Sequence, residues 1–202
     1  CIPGLARDVA ARGTGLVLVH GSGERGERAL ESLGRIPTAT DGVWNAEDAE
    51  GRDAVERATR TLLREIVHEL NEAGVSAIGA LGSGRGLLKL TAAGLAVGTA
   101  SWLGDLVRSG VVAVVASLVT HEDGLVEVDA ARASGALADA LDLPVAVLTT
   151  RSVDREGTLT GQEDRVPDAE AVRRTDPKGG AVRAGMRAAL REAAMADPEA
   201  IL

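Results

Sequence analysis

The sequence has no phenylalanine and no tyrosine, and Trp44 and Trp102 are its whole aromatic complement. A core of stacked rings is therefore excluded, and the 45% of hydrophobic residues must pack mainly as Val, Leu, Ile and Ala. Alanine-rich helices lying close on a valine-rich sheet meet that need without aromatic fillers. Cysteine is nearly absent as well. Cys1 stands alone, which excludes an internal disulfide and a cysteine cluster for zinc.

Positive charge is in short supply: 22 Lys and Arg face 30 Asp and Glu, for a formal charge of −8. No basic tract interleaved with aromatics offsets this, which argues against a protein that tracks a nucleic-acid backbone. Apolar runs break well before the roughly 20 residues a membrane span needs, and no secretory leader pattern is present. We expect a cytoplasmic protein with neither a nucleic-acid nor a membrane partner. No metal site is expected either, since His20, His68 and His121 are scattered and form no ligand motif. A start at Cys1 instead of Met suggests processing, trimming or a partial gene product.

What is present reads as alternating strands and helices. The apolar runs LVLVH (16–20), VSAIGAL (75–81), VVAVVASLV (111–119) and VAVLTT (145–150) have the length and continuity of strands buried on both faces. Helical spacing runs from Ala54 to Glu72, and alanine-rich composition from Ala130 to Leu141. Shorter helices are expected over residues 4–12, Glu27 to Leu33 and Trp102 to Arg108, and a final one from Ala181 to Met195. Leu87 to Ala100 has no clear assignment, and residues 152–180 read as a polar surface excursion. The alternation predicts an α/β fold: a three-layer sandwich with a parallel-rich central sheet and helices on both faces.

The stretch HGSGERG (20–26) follows the first strand and satisfies GxGxxG, with Asp41 near the distance expected for a ribose ligand. A dinucleotide-binding protein is thus one reading, although His20 is foreign to that fingerprint. A hydrolase oxyanion turn is another, but Ser83 in LGSGR does not complete a GxSxG elbow. A Walker A loop fails because Lys89 lacks the glycine that should precede it. The same glycines also suit an ordinary strand-to-helix turn.

The ordered set IPGLARDVAARGTGLVLVHGSG, ELNEAG, VSAIGAL, VVAVVASL, GLVEVDAARASGALADAL and VAVLTT resembles the amino-acid kinase family, in particular its acetylglutamate-kinase and aminoadipate-kinase branches. The resemblance spans most of residues 2–191 and implies one such domain over residues 1–202, incomplete at its N-terminus. It also implies ATP and Mg²⁺ as cofactors, a small-molecule carboxylate as acceptor, and a homo-oligomer or a second chain supplying missing elements. The HGGG-like loop would be His20, Gly21, Ser22 and Gly23, holding phosphate or acceptor oxygens, with Arg52 near the acceptor's carboxylate. The N-x-N/D-x-D segment falls on Glu127 to Ala131, leaving Asp129 as the retained catalytic-network residue and Ala131 where relatives carry an aspartate. The nucleotide elements fall on Thr149 and Thr150, and on Gly179 and Gly180, with Arg183 near the place of a catalytic lysine. A K-x-G-G strand has no counterpart. The resemblance therefore implies an ancestral phosphotransferase whose catalysis is weak or lost here, or alternatively a noncatalytic ligand-binding or assembly subunit.

Overall fold

The computed structural model describes residues 2–12, 15–40, 43–44, 48–122, 124–143, 145–149 and 171–175. In chain order the elements are α1 (Ile2–Arg12), β1 (Val17–His20), α2 (Glu24–Ser32), β2 (Ala39–Thr40), β3 (Val43–Trp44), α3 (Ala49–Glu72) and β4 (Ala77–Leu81). A 3₁₀ turn at Gly84–Gly86 leads to β5 (Leu88–Thr91), β6 (Gly94–Val97), α4 (Ser101–Arg108), β7 (Val112–Ala116), β8 (Leu118–His121) and β9 (Gly124–Glu127). The last described elements are α5 (Ala130–Leu141), β10 (Val145–Thr149) and β11 (Ala171–Thr175).

Two units are distinguished, Cys1–Leu137 and Ala138–Leu202. In the first, β1, β7 and β4 form a parallel sheet in the order β1-β7-β4. Every residue of β7 is buried, as its unbroken apolar sequence requires of a central strand. Val112, Val114 and Ala116 meet Ala6 and Val9 of α1 and Leu63, Ile66 and Leu70 of α3 on one face. Strand alternation turns Ala113 and Val115 to the other face. The crossover through α3 carries the chain from β1 to β4, and the crossover through α4 brings it back to β7. Right-handed crossovers running in opposite directions put α3 and α4 on opposite faces, which makes the three layers.

The first unit also contains a four-stranded sheet, β6-β5-β8-β9, in which β5 and β8 run parallel and the other pairs antiparallel. The apolar run 111–119 is therefore two strands, divided at Ser117 where the chain passes from one sheet to the other. Helix α3 begins at Ala49, before the expected Ala54, because the Asp48 carboxylate accepts the Gly51 N–H at 2.8 Å and caps it. Helix α2 likewise starts at Glu24, with Gly23 as its cap. The unassigned stretch 87–100 holds the β5–β6 hairpin. In the second unit, β10 and β11 form an antiparallel pair, so residues 171–175 of the polar stretch are a strand. The helix expected over residues 181–195 lies outside the described residues.

Candidate functional site: the loop after strand β1

Ligands of open α/β sheets meet the carboxyl ends of the strands. At that end of β1 lies His20, followed by Gly21, Ser22 and Gly23. Two backbone hydrogen bonds fix what surrounds them: the Ser117 N–H donates to the His20 carbonyl at 2.8 Å, and the Val128 N–H donates to the Ser117 carbonyl at 3.0 Å. The end of β9 is thereby drawn against the loop, with its last residue, Glu127, 3% exposed.

The Glu127 carboxylate is held by both of its oxygens. Its Oε1 accepts the Ser22 N–H at 2.8 Å and the Ser22 hydroxyl at 2.9 Å. Its Oε2 lies in a short contact with the Thr59 hydroxyl, which is also 2.8 Å from the Val55 carbonyl one turn earlier in α3. Ser22 is 1% exposed and Thr59 fully buried. Charge-assisted bonds of this kind are about twice as strong as neutral ones.

Glycine is required around this contact for space as much as for conformation. A Cβ at Gly21 would stand 2.8 Å from Glu127 Oε1, and one at Gly26 would stand 2.0 Å from Ser22 Oγ. Gly23 adopts φ 54° and ψ −144°, a region essentially closed to residues with a side chain.

His20 is 9% exposed. Its Nδ1 lies 3.0 Å from the Gly21 carbonyl, which can only accept, so Nδ1 carries the proton and Nε2 keeps a lone pair. That Nε2 and the Ser117 hydroxyl are buried without a hydrogen-bond partner among the described residues. Burial lowers the His20 pKa, and the bond to the Gly21 carbonyl opposes this with smaller effect.

No protein-family profile matches the chain. Acetylglutamate kinase of Prochlorococcus marinus (strain NATL1A) is 30% identical over 190 residues, covering 87% of this chain and 61% of that protein. Acetylglutamate kinase of Roseiflexus sp. (strain RS-1) is 33% identical over 158 residues, covering 72% and 60%. The chain thus spans less than two thirds of the length of these relatives. Among solved structures, N-acetylglutamate synthase from Neisseria gonorrhoeae, complexed with coenzyme A and N-acetyl-glutamate, superposes with a TM-score of 0.59 at 17% identity, over 78% of this chain and 40% of that one. An isopentenyl phosphate kinase superposes with a TM-score of 0.50 at 18% identity, over 70% and 56%. The chain belongs to the amino-acid kinase family.

The other positions that amino-acid kinase resemblance singled out are spread more widely. Arg52 is half-buried in the first turn of α3. It shares a helix face with Thr59, two turns or about 10 Å further along. Nearby, the Asp48 carboxyl is held below its ordinary range by the Gly51 N–H first and Arg35 second, with a smaller contribution from Arg52. Asp129 caps α5: its Oδ1 accepts the Arg132 N–H at 2.9 Å. Thr149 pairs with Ala171 in the β10–β11 ladder. Thr150, Gly179, Gly180, Arg183 and Asp41 lie outside the described residues. The described residues contain no cluster of three His, Cys, Asp or Glu able to hold a metal ion. None of their helices is long and apolar enough to cross a membrane.

Three contributors to the loop were not singled out as site residues from sequence: Thr59, Ser117 and Glu127. Thr59 carried a signal, being a hydroxyl in the apolar stripe with Val55, Leu63 and Ile66. A separate concavity of about 460 Å³ between α3 and β4 is lined by Arg57, Arg60, Leu63, Arg64, Gly79 and Leu81 among others. None of the sequence-predicted site residues that are described lines it.

Proposed function

We propose that this chain is a divergent, acetylglutamate-kinase-like member of its family in which phosphoryl transfer from ATP to the carboxylate of an acylated amino acid is weak or lost. The alternative reading is a noncatalytic ligand-binding or assembly subunit. The observation that carries the first reading is the capture of Ser22 by Glu127. Transfer of a phosphoryl group relies on donors aimed at the oxygens where charge collects. Here the Ser22 N–H and hydroxyl are both committed to an internal carboxylate.

The sequence departures point the same way. Ala131 replaces an organising aspartate, Thr150 replaces an acidic residue, and Arg183 stands near the place of a lysine whose compact charge its rigid fork does not reproduce. ATP with Mg²⁺ is the pair the resemblance implies, but Ser22 as held does not fit a transferring phosphate, and no step through that pair is derived. Calorimetry with Mg-ATP and acetylglutamate, combined with an ADP-release assay, tests the reading. The expected result is at most trace acceptor-dependent ADP release, and turnover by the purified chain at an ordinary enzymatic rate of about 1 s⁻¹ or more overturns it.

A further inference from the structure

We propose that Glu127 is the resident anion of the HGSG loop: it fills the donor set that would otherwise meet an external carboxylate or phosphate oxygen. The wild-type loop then refuses small anions, and deleting the side chain converts it into a site for a small monocarboxylate. The proposal deepens the reading above and rests on it in one respect, that the loop of the wild type is not engaged with a transferring phosphate.

Three donors from two segments distant in sequence converge on one carboxylate: the Ser22 N–H and hydroxyl on Oε1, and the Thr59 hydroxyl on Oε2. Backbone N–H and hydroxyl groups after a strand are the usual makings of an anion cradle. Here the anion belongs to the chain. The glycine spacing supports the assignment independently. In a dinucleotide fingerprint, glycines let a pyrophosphate approach the backbone. In this loop, the missing Cβ of Gly21 admits Glu127 Oε1, and the missing Cβ of Gly26 admits the Ser22 hydroxyl that binds it. Two glycines of GxGxxG thus have a structural role that needs no external ligand.

Chemical rescue tests the assignment. Glu127→Ala leaves the Ser22 and Thr59 donors facing a carboxylate-sized gap, and a buried donor left unpaired is costly. Thermal unfolding of this variant in sodium formate or acetate is expected to show a saturable rise in Tm that sodium chloride at equal ionic strength does not reproduce. Adding Ser22→Ala and Thr59→Val to the variant is expected to abolish the rise. Wild type is expected to show no saturable stabilisation by acetate or inorganic phosphate. A folded Glu127→Ala variant with no carboxylate-specific rise overturns the proposal, as does wild-type stabilisation equal to the variant's. Should Glu127→Ala not fold, Glu127→Met, which keeps the bulk and removes the accepting oxygens, and Ser22→Ala form a double-mutant cycle in urea. At least tenfold coupling in the unfolding constant is expected, and independence of the two changes overturns the assignment. ADP release by wild type at an ordinary enzymatic rate would sink the function proposed above and leave the rescue result standing, so the two failures are separable.

Discussion

His20 ties the stability of the loop to pH. In the folded chain its pKa lies below the ordinary value near 6.5, chiefly because burial penalises the charged ring. As pH falls below that value, the unfolded chain binds a proton that the folded chain resists. The contribution of His20 is therefore complete above pH 6.5 and is lost as pH falls towards the lowered folded pKa. Thermal unfolding between pH 7.5 and pH 5 is expected to show a fall in Tm that is shallower in His20→Gln. Identical slopes in the two proteins would place the pH dependence elsewhere. The imidazole could be found from sequence because it ends an apolar strand. Its neutral state could not, since that depends on burial supplied by the rest of the fold.

Among elements, β7 and the helices on its two faces carry the core. Leu103 of α4 is fully buried, whereas Ile36 after α2 is 83% exposed. Leu103→Ala is expected to cost about 3 kcal/mol in urea denaturation, from lost transfer energy plus the cavity left behind. Ile36→Ala is expected to stay within about 0.5 kcal/mol, as is usual for exposed positions. Strand β7 was legible because burial on both faces leaves an unbroken apolar run; β1 and β4 carry similar runs but, flanking β7 in the three-stranded sheet, are not buried on both faces, with β1 largely half-buried and Ile78 of β4 exposed. The β5–β6 hairpin was not legible: Thr91 pairs with Gly94 across Ala92 and Ala93, which lack the Asn-Gly or Asp-Gly chemistry that marks a two-residue turn. The cap that lengthens α3 was missed because it lies ahead of the apolar periodicity, at Asp48. Glu127 was legible only as a departure from a family motif. Its role depends on partners 105 and 68 residues away, which no local pattern encodes.

The fold of the amino-acid kinases is retained in the parallel sheet and its two helical layers, while the loop that follows β1 is closed on a side chain of the same chain. The three residues Ala116, Ser117 and Leu118 link the two sheets of the first unit. Ser117 donates to His20 and accepts from Val128, Ala116 accepts from Gly82, and Leu118 accepts from Ser83. With each of these backbone groups engaged, opening one sheet is expected to disturb the other. Amide hydrogen exchange is expected to show this directly: a fragment over residues 116–119 should exchange as slowly as one over residues 112–115. Earlier exchange of the first fragment would mean that the sheets open separately. Equal protection would make the peptide unit at Ser117 the joint through which the two sheets act as one cooperative foldon.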